Sequence, residues 1–203
     1  MKKAREYRKY ARETLGHDIF GTKWMYALLA YLVCSLLVGA VSALSVGILG
    51  ILVLGPLSYG IISVFLRIKR NEDEKAEVVH LFDGFKDKFG ESFVAALLMD
   101  IFIFLWTLLL IIPGIIKSYS YSATMYLVRE RNLEGTEAIT ESRRLMNGKK
   151  WKLFCLDLSF IGWYFVGLLC LGIGALWVHT YHEAAKAHFF DDVLNEEKVI
   201  EAK

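Results

Sequence analysis

Long stretches without charged side chains most constrain what this chain can fold into. Residues 24–66 contain no Asp, Glu, Lys or Arg, and residues 93–128 contain only Asp100 and Lys117. A helix needs about 20 apolar residues to cross the roughly 30 Å hydrocarbon core of a bilayer. Each stretch is about twice that length, so each can hold a pair of spanning helices. The pattern predicts a polytopic membrane protein.

Composition supports this reading. Hydrophobic residues make up 55% of the 203 residues, whereas roughly 45–50% is usual in soluble domains even when Gly is counted. A third stretch, residues 153–181, has Asp157 as its only charged residue. The net charge of +2 does not indicate a nucleic-acid partner.

The charge-free stretches predict an all-α bundle of about six transmembrane helices, arranged as three hairpins. The predicted spans are residues 24–43, 51–66, 92–112, 115–128, 153–170 and 175–190. The turns between paired spans are predicted at residues 42–50, at the Pro113-Gly114 break, and at residues 171–174. The sixth segment contains His, Glu and Lys, so whether it crosses the bilayer fully is left open. The tail after residue 190 is expected to fray.

Basic residues set the predicted orientation. The N-terminal segment and the two long loops, residues 67–91 and 129–152, carry nearly all the Lys and Arg, while the three turns carry none. Basic loops stay on the cytoplasmic side of a membrane. With six spans, both termini and both long loops are therefore predicted in the cytoplasm.

Each hairpin follows a segment with helical periodicity, and these segments are predicted to be amphipathic helices on the cytoplasmic face. In residues 2–20 the apolar positions recur every three or four residues at Ala4, Tyr7, Ala11, Leu15 and Ile19. The second segment has Phe82, Phe85 and Phe89, and the third has Ala138, Ile139, Ser142, Leu145 and Met146. The basic residues predicted to contact anionic lipid beside the third are Arg143, Arg144, Lys149 and Lys150.

The hairpins also resemble one another in sequence. Asp100 and Trp106 are six residues apart, as are Asp157 and Trp163. We interpret residues 1–203 as one membrane domain with repeat-like units of about 1–70, 71–128 and 129–192, followed by a tail at 193–203. Repeats of this kind are common in membrane folds.

Three sequence runs carry a resemblance to a known family: IIPGIIKSYSYSATMYL, EAITESRRLMNGKKWKLFCLDLSFIGW and LGIGALWVHTYHEAAKAHFF. They resemble the bacterial integral-membrane family called domain of unknown function 975, over nearly the whole chain. The resemblance implies a six-helix-class protein of the bacterial cytoplasmic membrane and implies no particular activity. The family commonly shows Asn followed by Pro where this chain has His179-Thr180, so a family-wide catalytic role for His179 is not implied.

Two groups of residues could carry chemistry. Asp100 and Asp157 are ionisable groups within predicted spans, where such groups handle ions or protons or pair with a cation. Lys117, predicted near the outer surface, either snorkels to lipid headgroups or neutralises a buried acid. His179, His182 and Glu183 have a weak resemblance to a metal site, although the order HxxHE is not that of zinc proteases.

No catalytic triad, phosphate-cradling loop or Cys-pair metal site occurs, so neither an enzyme nor a cofactor is predicted. The leading hypothesis is a non-enzymatic membrane protein that organises or protects the bilayer or serves as an accessory subunit. Its predicted partners are membrane lipids, other membrane proteins or a second copy of the chain. A small transporter or channel using Asp100, Asp157 and Lys117 is the alternative, and a membrane-embedded metal hydrolase is the second alternative.

Overall fold

The computed structural model describes residues 2–16, 21–44, 48–70, 78–86, 88–169 and 173–201, and these ranges contain helices and no strand. The all-α prediction is confirmed for this part of the chain. The helices are α1 (Ala4–Leu15), α2 (Thr22–Leu44), α3 (Ile48–Arg70), a 3-10 helix (Val78–Phe82), α4 (Asp83–Lys86), α5 (Phe89–Leu109), α6 (Ile111–Tyr121), α7 (Thr124–Arg131), α8 (Gly135–Leu145), α9 (Lys150–Leu169) and α10 (Ile173–Glu201).

Three of the described helices are long and apolar enough to cross a membrane. The segments are Thr22–Ala40 in α2, Phe89–Leu108 in α5 and Lys150–Leu169 in α9. Parts of several predicted features lie outside the described residues: residues 17–20 of the first periodic segment, residues 45–47 and 171–172 of two turns, residues 71–77 and 87 of the first long loop, residue 170 at the end of the fifth predicted span, and residues 202–203 of the tail.

The break in the second hairpin lies earlier than predicted. Leu110, in an extended conformation, separates α5 from α6, and Pro113 falls in the first turn of α6. Proline is tolerated there because the first N–H groups of a helix have no intrahelical partner. Gly114 has another role, since a Cβ at this position would lie 2.9 Å from the Thr107 Cα. The glycine lets the two arms of the hairpin approach closely.

The predicted fourth span is two helices, α6 and α7, rather than one. Ser122 and Thr124 donate hydroxyl hydrogen bonds to the carbonyls of Tyr119 (2.9 Å) and Tyr121 (2.6 Å) at the junction. Ser122 and Ala123 keep right-handed helical backbone angles there, and neither Gly nor Pro marks the junction in the sequence.

The prediction that the chain frays after residue 190 is wrong. Helix α10 continues to Glu201, and Val193 and Leu194 are buried. The helix continues because Asp191 binds two cations from α3, Lys69 and Arg70, and the apolar side chains after it pack inside the protein.

The chain divides into two compact units whose limits differ from those of the predicted repeats. The first unit comprises Met1–Val33, Val64–His80 and Trp151–Lys203, and the second comprises Cys34–Ser63 and Leu81–Lys150. The threefold repeat and the single-domain organisation remain predictions.

In the first unit α1 packs on α10. The predicted apolar face of α1 is confirmed as one stripe, and Tyr7, Ala11 and Leu15 on it are buried. The Tyr7 ring meets the Phe189 ring edge-on at a centroid distance of 5.3 Å. The buried face of α1 therefore contacts α10, whereas the sequence predicts that it contacts lipid.

In the second unit α3 packs closely on the segment before α5. A Cβ on Gly60 would lie 2.6 Å from the carbonyl carbon of Leu81, and a Cβ on Gly84 would lie 2.9 Å from that of Pro56. Both positions need glycine because backbone atoms, which cannot rotate away, occupy the space. The core beside them consists of Tyr59, Ala95, Ala96, Met125, Val128 and Ala138.

The other two periodic segments also fold largely as helix. On α8 the predicted face is buried, and the Ser142 hydroxyl donates to the Ser120 carbonyl at 2.9 Å. The phenylalanine segment is a 3-10 helix, α4 and the start of α5 rather than one helix. Its rings form a ladder with centroids 6.1–6.2 Å apart, in the order Phe82, Phe85, Phe89, Phe93. Phe82 and Phe89 are exposed, and the contact of this segment with lipid stays a prediction.

Candidate functional site

Two helices of the first unit supply a continuous row of polar side chains. Asp157 and Tyr164 are seven residues apart on α9, two helical turns, and so lie on one face. Helix α10 provides polar residues at positions i, i+3, i+4 and i+7, which also share a face. These residues are His179, His182, Glu183 and Lys186.

His182 lies at the centre of the row. Its Nε2 is 2.8 Å from the Asp157 Oδ1, and its Nδ1 is 3.2 Å from the Tyr164 hydroxyl. The same hydroxyl is 3.2 Å from the Nδ1 of His179. The Phe160 ring stacks on His182 with centroids 4.5 Å apart. Both nitrogens of a nearly buried imidazole are thus satisfied by residues of α9.

The other end of the row is an ion pair within α10. Lys186 Nζ lies 3.2 Å from Glu183 Oε1, and His179 Nε2 lies 3.9 Å from the same oxygen. Tyr31 of α2 covers His179 with ring centroids 4.0 Å apart. Glu183 therefore stands between a lysine and a histidine that an aromatic ring shields from solvent.

The hydroxyl of Tyr164 couples the two histidines. It has one proton and faces two imidazole nitrogens, so it donates to one histidine and accepts from the other. With both histidines neutral and His182 donating to Asp157, Tyr164 donates to His182 and accepts from His179. If His179 is doubly protonated, its Nδ1 proton can pass to the Tyr164 oxygen while the Tyr164 proton passes to the His182 Nδ1, which reverses both bonds, leaves His179 neutral and leaves His182 doubly protonated. This arrangement can move a proton through a row of hydrogen bonds.

The predicted ion-handling residues have different surroundings. Asp157 lies in the polar row. Asp100, in the second unit, is exposed on α5, and no residue in the described part of the chain pairs with it. Lys117 Nζ sits 4.5 Å above the centre of the Trp106 ring, a cation–π contact. Helix α6 packs against α8, and Arg143 of α8 acts electrostatically on Lys117. The placement of Lys117 near the outer surface stays a prediction.

The metal candidates His179, His182 and Glu183 are engaged with protein groups as described above. Across the described residues, no three His, Cys, Asp or Glu side chains converge to hold a metal ion. The HxxHE order thus reflects a hydrogen-bonded row along one face of α10.

The predicted lipid-contacting basic residues lie where α8 ends and α9 begins. Arg143 and Arg144 are exposed, and Lys149 and Lys150 are half-buried. Arg144 also forms hydrogen bonds of 2.9 and 2.5 Å to Glu141. A fixed acid therefore neutralises part of this basic group.

Sequence reasoning missed an ionic cluster in the first unit. Asp191 accepts hydrogen bonds from Lys69, Arg70 (2.8 Å) and the Asn195 amide (3.1 Å). Burial raises the pKa of Asp191, but the two cations outweigh it and hold this pKa below its usual value. Its cationic partners lie more than a hundred positions earlier in the chain, so no local pattern marked it. Tyr164 was findable, because it lies two turns after Asp157 on the same face.

Comparison with known proteins gave one relationship. A family model described as "Protein of unknown function (DUF975)" matches residues 1–120 and 107–197. No curated protein and no solved structure matches the chain. The two matched segments together cover nearly all of the sequence, and the chain therefore belongs to the DUF975 family.

Proposed function

We propose that the protein is a non-enzymatic integral membrane protein of the bacterial cytoplasmic membrane that organises the lipid around it. A closely related role, as a membrane subunit for other proteins or for a second copy, uses the same surfaces. Six spans, with both termini in the cytoplasm, remain predictions within this proposal.

One observation carries the proposal: most residues of the candidate membrane spans are not buried within the protein. Only 17% of the candidate span in α5 and 22% of that in α9 is buried. Leu108 is 75% exposed and Leu169 is 85% exposed. Apolar patches of this extent are rare on proteins that face water, whereas lipid chains would cover them without cost.

A second function, proton transfer across or into the membrane, is favoured by the hydrogen-bonded row of Asp157, His182, Tyr164 and His179. Ionisable groups inside membrane helices commonly mark proton relays. The isolated position of Asp100 and the contact of Lys117 with Trp106 give no support to a path that uses all three predicted residues.

The leading proposal predicts selective contact with anionic lipid. We expect reconstituted protein to immobilise spin-labelled phosphatidylglycerol more strongly than spin-labelled phosphatidylcholine. Replacing Arg143, Arg144, Lys149 and Lys150 together by glutamine should remove much of this preference, since each basic residue near the surface contributes about 1 kcal/mol of attraction to anionic lipid. Electron paramagnetic resonance of the labelled lipids measures the effect.

Asp100→Asn is the matched control, because it changes one charge in a candidate span and leaves the basic group intact. A quadruple variant with unchanged lipid preference would contradict the proposal. In the same vesicles a pH-sensitive dye measures proton flux, which should equal that of protein-free vesicles. A flux that Asp157→Asn abolishes without loss of folding would establish the second function instead.

A further inference from the structure

A small aromatic cavity in the first unit has the features of a ligand site. Its volume is about 190 Å³, and its walls include Arg12 of α1, Trp24 of α2, Trp163 of α9, and Trp177 and Tyr181 of α10. Four helices thus contribute to one opening. None of these residues belongs to the polar row of α9 and α10.

The cavity walls are mainly aromatic, and the polar atoms of Trp24 and Tyr181 are hydrogen-bonded to backbone carbonyls. The Trp24 indole N–H donates to the Gly16 carbonyl at 3.0 Å. The Tyr181 hydroxyl donates to the Arg8 carbonyl at 2.7 Å. What these two side chains present to the cavity is therefore ring surface, which suits an apolar or amphipathic ligand.

Arg12 is the charged group at the cavity, and it is available to bind an anion. The guanidinium is exposed and has no acidic partner in the described part of the chain. Three other cations of the N-terminal segment are engaged: Lys2, before α1, pairs with Asp192 at 3.0 Å, Lys9 pairs with Glu13 at 3.7 Å, and the Arg8 guanidinium donates to the Ser159 carbonyl at 2.9 Å. Arginine binds phosphate through paired N–H groups in a planar fork.

The volume of the cavity limits what it can enclose. Sites that enclose a whole small molecule usually measure about 300–1,000 Å³, so a cavity of about 190 Å³ holds only part of a ligand. The remainder has to lie along the adjoining surface. Beyond Trp163 the nearest exposed apolar side chains on that side of α9 are Val166, one turn further along the helix, and then Leu169.

We propose that this cavity binds an anionic phospholipid, with the phosphate at Arg12 and one acyl chain along the exposed face of α9. The inference rests on the membrane location in the proposed function and names the lipid class that the first unit selects. Tryptophan is enriched at the level of lipid headgroups, so three indoles around one arginine fit the boundary between headgroup and chain.

Native mass spectrometry of the purified full chain tests the site by titration with phosphatidylglycerol, phosphatidylcholine and inorganic phosphate. We expect one phosphatidylglycerol to bind preferentially. Arg12→Gln should weaken its binding about tenfold, as for the loss of one charge-assisted contact. Trp163→Ala should weaken the binding of both phosphatidylglycerol and phosphatidylcholine, because it removes contact with the acyl chain. Lys9→Gln, on the same helix but outside the cavity, should change neither affinity more than about twofold.

Three results would overturn the lipid site. Equal weakening by Arg12→Gln and Lys9→Gln would indicate a diffuse basic surface. Equal binding of both lipids would remove the role of Arg12. Competition by millimolar inorganic phosphate, with no effect of Trp163→Ala, would show that the cavity takes a free anion. If the protein still inserts into bilayers, any of these three results rejects the lipid site alone. If the protein does not insert into bilayers, the proposed function itself is rejected.

Discussion

Gly60→Ala is expected to lower the free energy of unfolding by about 3 kcal/mol or more. The added methyl carbon would lie 2.6 Å from the carbonyl carbon and 2.7 Å from the Cα of Leu81. Those atoms belong to backbone, so α3 and the 3-10 helix must move apart for the methyl group to fit. Thermal unfolding of the purified protein in detergent, followed by tryptophan fluorescence, measures the loss.

Gly39→Ala is the matched control for this change. Gly39 is also an interior helical glycine of the second unit, but a Cβ there would have no atom within 4 Å. Alanine should stabilise this helix by about 0.5–1 kcal/mol, because glycine loses more backbone entropy on folding. If both substitutions changed the unfolding midpoint equally, the close contact of α3 with Leu81 would be refuted.

Asp191→Asn should destabilise the first unit by about 2–3 kcal/mol. The carboxylate is 12% exposed and neutralises both Lys69 and Arg70, and removing one partner of a buried ion pair leaves uncompensated charge. For a chain of this length the thermal midpoint should fall by roughly 5–10 °C. Asp192→Asn provides the comparison, because Asp192 pairs with Lys2 at the surface, and its loss should cost less than about 1 kcal/mol.

The Asp191 cluster also predicts a dependence of stability on pH. The pKa of Asp191 is lower in the folded protein than in the unfolded chain, where it is about 3.9. Its contribution is therefore complete well above pH 4 and declines as the pH falls through the depressed folded value. Asp191→Asn should flatten this part of the stability profile. If stability declined equally at low pH in the variant and in the native protein, Asp191 would not contribute to that decline.

The helical class and the candidate spans in α2, α5 and α9 were predictable because their signal lies within single segments of the sequence. The length of a segment without charged residues is such a signal, and so is the periodicity that places Tyr7, Ala11 and Leu15 on one face of α1. What covers that face was not predictable, because its partner Phe189 lies at the other end of the chain. The break between α6 and α7 was hidden because neither Gly nor Pro marks it, and Ser122 and Ala123 at the junction keep right-handed helical backbone angles.

The candidate site was partly predictable for the same reason. His179, His182 and Glu183 stood out by spacing along α10, and Asp157 stood out as a charge in an apolar helix. The spacing of Tyr164 from Asp157 shows that both lie on one face of α9, but the contact of Tyr164 with the histidines depends on the packing of α9 on α10. The aromatic cavity around Arg12 combines residues from four helices, and local periodicity gives no information on such a convergence.

The most direct test of membrane insertion is the environment of two exposed apolar side chains. Single cysteines at Leu108 and Phe165, in a chain whose 3 native cysteines are replaced by alanine, carry nitroxide labels after reconstitution in vesicles. Asn147, exposed between α8 and α9, provides the aqueous control. We predict that oxygen reaches the labels at 108 and 165 and that a water-soluble nickel complex reaches only the label at 147. Equal access of the nickel complex to all three labels would contradict the account.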